Sequence, residues 1–250
     1  MRRPTPARSR AILFDAGNTL LQMNYPAIAG YLAARGHPVG AARVRDAELR
    51  ARVRLDRDLV SGASTESGDT HRRYLRYVLL HLGIADEDEA RAIAAWRRDY
   101  NPPVGLWNRA EPEAAAALRR VKGAGLLAGV ISNSNGSVRS ILEATGLARD
   151  LDFIIDSAVV GVEKPDPRIF HVALDLAGVP PEAAFYVGDL YSVDVLGARR
   201  AGLGAVLLDP RGYWGSRDCP LARGLDHAVR LCLSSLSLAR SCPDDLSSRI

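Results

Sequence analysis

In the second half of the chain, short apolar runs alternate with segments of helical period. The runs are Leu126–Ile131, Phe153–Ile155, Phe185–Val187 and Ala205–Leu208. Between them, residues 110–125, 136–146, 166–178 and 192–202 space apolar side chains three and four apart, and each segment closes on glycine. Glycine there suits a helix C-terminus. Asp166 followed by Pro167 reads as a helix N-cap and first helical position. Continuous apolar strands alternating with helices of this length predict an α/β core, with a parallel sheet covered on both faces. A further strand, Ala11–Phe14, stands alone near the N-terminus.

Residues 22–103 follow a different pattern. They hold no strand-like run, and Leu, Val and Tyr recur at helical spacing over 25–36, 41–60, 70–82 and 86–99, interleaved with Arg, Asp and Glu. This predicts an all-helical domain inserted after the first strand. The core is then 11–21 together with 104–233, and the segments 23–26 and 101–105 are hinge-like. Residues 63–69 read as a loop, residues 1–10 as a disordered basic tail, and the Ser-rich 234–250 as a flexible tail. Arg43, Arg50, Arg54 and Arg57 form one row expected to face solvent. Tyr74, Tyr77, Trp96 and Trp107 are expected to pack the helical domain, and Asn18 and Asn135 to sit in turns.

Composition changes this picture little. With 250 residues, 47% hydrophobic and 25% charged, the chain is an ordinary globular one. No apolar run approaches the roughly 18 residues of a membrane span. Cys219, Cys232 and Cys242 are odd in number and lack metal-ligand spacing, which suits a reducing cytoplasm. The net charge of +4 is accounted for by Arg2, Arg3, Arg8 and Arg10, so the remainder is balanced and nucleic acid is not an expected partner. All but two of the 33 cations are arginine; the lysines are Lys122 and Lys164.

Ligand sites in such sheets form at the carboxyl ends of the strands. There the sequence places Asp15 after the first strand, Ser132 after Leu126–Ile131 and Asp189 after Phe185–Val187, with Lys164 ahead of a helix beyond a fourth strand. Two carboxylates, a hydroxyl and an ammonium on one sheet edge suit an anion bound through a metal. Mg²⁺ takes oxygen ligands, commonly one or two carboxylates with substrate phosphate. A second carboxylate can then attack phosphorus, and an ammonium can balance the gathered charge.

At these residues the chain resembles the haloacid dehalogenase superfamily, in the branch with a helical cap after the first strand. The motifs are Asp15-Ala16-Gly17-Asn18-Thr19-Leu20, then Ser132-Asn133-Ser134-Asn135-Gly136, then Glu163-Lys164-Pro165, then Gly188-Asp189 with Asp194. The resemblance spans roughly residues 10–210 and implies a Rossmann-like core with a helical cap. It implies Asp15 as a nucleophile forming an aspartyl-phosphate, Ser132 as a hydrogen-bond donor to the phosphoryl group, and Lys164 as a bridge between them. Mg²⁺ would be held by Asp15, the main-chain carbonyl of Gly17 and Asp189, with Asp194 supporting that shell or holding Lys164. Thr19 and Asn133 match positions near the phosphate. The implied activity is Mg²⁺-dependent hydrolysis of a small phosphorylated metabolite, an ester or anhydride.

Gly17 departs from the pattern. The family's phosphatases usually carry there a second Asp that protonates the leaving alcohol, work typically worth about 10²–10⁴-fold. Without it, aryl and acyl phosphates are expected to be favoured over alkyl ones unless an acid comes from the cap or from water. A metal-independent 2-haloacid dehalogenase also lacks that Asp, although it has little use for Asp189. A phosphonatase needs a cap lysine, and no lysine precedes Lys122. A phosphomutase needs the missing Asp. A fold-retaining protein that binds a phospho-ligand or a protein partner without turnover stays open.

Overall fold

A computed structural model of the protein describes residues 10–100 and 105–238. The expected tail 1–10 (all but Arg10), the segment 239–250 and most of the hinge-like 101–105 lie outside the described residues. Five strands supply most of the sheet: β1 (Ala11–Phe14), β4 (Leu127–Ser132), β5 (Phe153–Asp156), β6 (Ala184–Gly188) and β7 (Gly204–Leu208). With the two-residue edge strand β8 (Leu221–Ala222), they form a six-stranded sheet in the order β5-β4-β1-β6-β7-β8. Every neighbouring pair is parallel.

The unbroken apolar character of these strands reflects burial on both faces. Alternation along β1 sends Ile12 and Phe14 into one core and Ala11 and Leu13 into the other. The first face is covered by α5 (Ala114–Gly123), α6 (Val138–Ala144) and α10 (Leu225–Leu238). The second is covered by α8 (Pro167–Ala177) and α9 (Leu196–Arg200). As predicted, Asp166 caps α8, accepting from the Arg168 amide, and Gly178 ends it in the left-handed region. The short α7 (Ser157–Val160) follows β5.

The cap consists of α1 (Tyr25–Ala34), α2 (Ala41–Leu59), α3 (Gly68–Leu82) and α4 (Glu87–Tyr100), around its own core of Ile28, Leu32, Val44, Leu55, Leu75 and Val78. Ser67 caps α3 by accepting from the Thr70 amide. Where the cap leaves and rejoins the sheet domain, β2 (Leu21–Gln22) pairs antiparallel with β3 (Arg109–Ala110). No helix among the described residues is long and apolar enough to cross a membrane.

One expectation at the C-terminal end is corrected. The segment from residue 234 was read as a flexible tail, yet α10 continues through Leu238, with Leu236 buried in the sheet-domain core. Leu225, Val229, Cys232 and Leu236 keep helical spacing across the Ser-rich stretch, and burial of that stripe outweighs the composition around it.

Candidate active site

Parallel strands deliver their carboxyl ends to one edge of the sheet, and the chemistry of the chain collects there. Asp15 follows β1, Ser132 ends β4, Asp189 follows β6, and Lys164 enters from the segment before α8; all four are buried. The Lys164 ammonium donates to Asp15 Oδ1 at 2.6 Å, to Asp194 Oδ1 at 2.7 Å and to the Tyr186 hydroxyl at 2.8 Å, which uses its three protons. Tyr186 donates in turn to the Ile131 carbonyl. Burial opposes the lysine charge, but Asp15 and Asp194 more than offset it and hold the ammonium well above the ordinary lysine range. Burial raises the Asp15 carboxyl to about 6, with Lys164 opposing and Asp194 adding to the rise.

The loops are pinned by the same kind of bond. Asn133 holds the Lys164 backbone from both sides, accepting from its amide at 2.7 Å and donating to its carbonyl at 2.9 Å. Asp156 accepts from the Gly136 amide at 3.1 Å and steadies the turn after Ser132. Asp194 stands in a single π-helical turn, Tyr191–Val195, and its Oδ2 accepts from the amides of Asp189 and Leu190. Both Asp194 oxygens are therefore engaged, one by Lys164 and one by the backbone that carries Asp189. A Cβ on Gly188 would collide with this carboxylate, so the position requires glycine.

Asp189 is differently placed. Its Oδ2 is buried and has no hydrogen-bond partner, while the Arg52 guanidinium from α2 approaches to 3.2 Å as an ion pair. Arg52 is itself gripped by Glu48, through Nε at 2.8 Å and Nη2 at 2.6 Å. Glu48 also accepts from the hydroxyls of Tyr25, at 2.9 Å, and Tyr74. Burial, together with like charge from Asp194 and Asp15, drives the Asp189 carboxyl well above the carboxylate range despite Arg52. Oxygens of Asp15, Asp189 and Asp194 lie within 4.8 Å of one another. A buried carboxylate oxygen that takes no hydrogen bond and is met by the Arg52 ion pair, set among other carboxylate oxygens, fits a hard divalent cation such as Mg²⁺.

The cap closes over this edge. Its loop between α2 and α3 docks on the core through Ser64, which donates to Glu163 Oε2 at 3.0 Å, and Thr65, which accepts from Asn133 Nδ2 at 2.9 Å. Asp56 on α2 accepts from the Ser192 amide and hydroxyl at 2.8 and 2.7 Å. The pocket so formed is lined by Asp15, Ser132, Lys164 and Asp189 from the core, and by Arg52, Glu66, His71 and Arg97 from the cap. Trp107 lies over Gly17. A Cβ there would touch the indole at 3.4 Å, and the indole N–H donates to Asn18 Oδ1 at 2.9 Å. The space beside Gly17 is thus occupied by an aromatic ring.

Burial, reinforced by Arg97, lowers the His71 imidazole to about 4. The unfolded chain binds that proton near 6.5, so His71 favours the fold fully above pH 6.5 and progressively less as pH falls toward 4. The loss of urea-unfolding free energy between pH 7 and pH 5 is accordingly expected to be smaller in His71→Gln than in wild type. Equal losses would remove His71 as the cause.

The structure brings Asp15, Gly17, Ser132, Asn133, Lys164, Asp189 and Asp194 to one pocket. Thr19, expected near the phosphate, is buried and lines a neighbouring cleft with Gln22, Arg45, Glu111 and Arg223; the residue before it, Asn18, takes φ 54°. The arginine row 43, 50, 54 and 57 is solvent-exposed as expected. Tyr74 and Trp107, read as packing, also line the pocket. Sequence reading missed Arg52 and Glu48, whose signal was a pair of opposite charges four apart within the apolar stripe of α2. It also missed Tyr186, Glu66, His71 and Arg97, which carry no spacing signal.

The sequence comparisons agree with this architecture. The model of the haloacid dehalogenase-like hydrolases matches residues 9–202. The chain belongs to that family. This hydrolase is 32% identical over 206 residues to haloacid dehalogenase-like hydrolase domain-containing protein 3 of Bos taurus, covering 80% of this chain and 81% of that one. It is 42% identical over 147 residues to a phosphoserine phosphatase of Thermus thermophilus, 57% and 56% of the two chains. Among solved structures, a 2-haloacid dehalogenase from Pseudomonas syringae pv. Tomato superposes with a TM-score of 0.53 at 26% identity, over 94% of this chain and 100% of the other. The hydrolase therefore has relatives that carry phosphatase names and a structural neighbour that carries a dehalogenase name.

Proposed function

We propose that this hydrolase is a Mg²⁺-dependent phosphohydrolase that acts on a small phosphate ester or anhydride through an aspartyl-phosphate on Asp15. The observation that carries the reading is the buried oxygen of Asp189, which takes no hydrogen bond and has the Arg52 ion pair beside it, clustered with oxygens of Asp15 and Asp194. The phosphatase-named relative supports it. Asp15, the Gly17 carbonyl and Asp189 would hold the metal, which when bound neutralises phosphate charge and favours attack on phosphorus. Asp15 is the nucleophile. Lys164 fixes it and faces the anion, Ser132 donates to the phosphoryl group, and Asn133 and Asp194 hold Lys164 in place. Arg52 adds a second cation on the cap side.

Arg52 also supports a second reading. A guanidinium beside Asp189 balances that carboxylate without a metal, as a metal-independent 2-haloacid dehalogenase would need, and the Pseudomonas neighbour is named a 2-haloacid dehalogenase. One assay separates the two. Aryl phosphate is expected to be hydrolysed with Mg²⁺ and far more slowly after chelation, with no halide released from 2-chloropropionate. Halide release that is indifferent to chelation, with phosphate untouched, overturns the phosphatase reading.

A further inference from the structure

Gly17 leaves the phosphatase reading without a proton donor, and an in-line displacement fixes where one must stand. Asp15 attacks from the sheet edge, so the leaving oxygen points away from the sheet, toward the cap. Four carboxylates line the pocket: Asp15, Glu66, Asp189 and Asp194. Asp15 is the nucleophile, Asp189 faces Arg52, and both oxygens of Asp194 are engaged. Glu66 is the one that no other task holds. It is also the one on the cap, directly after Ser64 and Thr65, whose bonds to Glu163 and Asn133 fasten the loop to the two motifs that position Lys164. Its backbone amide donates to Ser64 Oγ at 3.1 Å, tying it to that dock.

We propose that Glu66 is the acid–base residue of this hydrolase and does the work for which Gly17 has no side chain; the proposal rests on the phosphatase reading. As Asp15 bonds to phosphorus, the bond to the leaving oxygen breaks, its electron pair stays on that oxygen, and the Glu66 proton converts it to an alcohol. A water then attacks the aspartyl-phosphate and gives a proton to the Glu66 carboxylate. The bond from phosphorus to Asp15 breaks with its electrons returning to Asp15, and phosphate leaves with Glu66 protonated again.

The groups facing Glu66 suit that cycle. His71 Nε2 of α3 lies 4.0 Å from its Oε1, Arg97 of α4 shares the pocket, and the charges of Glu163, Asp156 and Asp15 act on it from the core. Burial raises the carboxyl to about 7, with Arg97 opposing and the three acids adding to the rise, so both protonation states are populated near neutrality. The side chain stays 35% exposed, which leaves room for an alcohol or a water. His71 is neutral well below that pH and has no proton to give there.

The test uses Glu66→Gln in Mg²⁺ with p-nitrophenyl phosphate and an alkyl phosphate. For the alkyl ester kcat/KM is expected to fall by about 10²-fold or more. With the aryl ester, whose leaving group needs no proton, the variant is expected to release one equivalent of p-nitrophenol per site at near the wild-type rate. A slow steady state should follow, because the aspartyl-phosphate waits for its base. In wild type the ratio of alkyl to aryl kcat/KM should fall as pH rises through about 7, and in the variant that dependence should vanish. An unchanged alkyl rate, or an aryl burst slowed as much as the alkyl reaction, overturns the assignment. Failure of wild type to hydrolyse either ester removes the phosphatase reading itself, and the proposal with it.

Discussion

Asp15→Asn is expected to abolish phosphate release, by at least roughly 10⁴-fold in kcat, as removal of a covalent nucleophile does elsewhere. Asparagine fits the same space and its carbonyl oxygen still accepts from Lys164, so the loss would report chemistry and not collapse. The electrostatics support that separation. The Asp15 carboxyl is raised to about 6, chiefly by burial. Its ionised form is thus disfavoured by the fold, and the contribution to stability falls as pH rises from the unfolded value of 3.8 through 6. A neutral isostere escapes that cost at pH 7. The variant is therefore expected to melt no lower than wild type in metal-free buffer, while releasing no phosphate. Residual turnover above about 1% of wild type would remove Asp15 as the nucleophile.

The gap between what the sequence predicts and what the structure holds follows a physical rule. Strands buried on both faces announce themselves as unbroken apolar runs, which is why the sheet is legible from Leu126–Ile131 or Ala205–Leu208. The residues at their carboxyl ends are legible for the same reason, since a strand end in a parallel sheet is a predictable place. The two-residue strands β2, β3 and β8 are too short to carry any period. Thr19, next to the left-handed Asn18, lines a neighbouring cleft, and no local pattern marks which of the two clefts it enters. The cap wall of the pocket was legible least. Glu66 and His71 flank the start of α3 while Arg97 comes from α4, and bringing them to one wall over the sheet edge is a matter of how the helices pack.

Arg52 was hidden for a further reason: the eye assigns charges on a helix to its wet face. On α2 the exposed row 43, 50, 54 and 57 fits that habit, but 44, 48, 51, 52 and 55 form the buried stripe, and Glu48 and Arg52 lie within it at 0% and 4% exposure. Such a pair is a poor source of stability yet a costly one to break, because removing one partner strands the other charge without water. Arg52→Met is accordingly expected to cost about 3–5 kcal/mol, a fall of roughly 6–20 °C in melting temperature for a chain of this size. Tyr25 and Tyr74 still donate to Glu48 in that variant, but two hydroxyls do not replace a bidentate guanidinium. The double variant Glu48→Gln/Arg52→Met removes both charges; the glutamine oxygen still accepts from one tyrosine hydroxyl and its amide can donate to the other, so it should recover at least half of the loss. Arg52 also stands on Asp189, and its removal leaves that carboxylate open to a cation. Added Mg²⁺ should then raise the melting temperature of Arg52→Met by more than that of wild type, through ligand linkage. A single variant that unfolds within about 1 kcal/mol of wild type would mean that water reaches Glu48. An equal Mg²⁺ shift in both proteins would mean that Arg52 and the metal do not contend for Asp189.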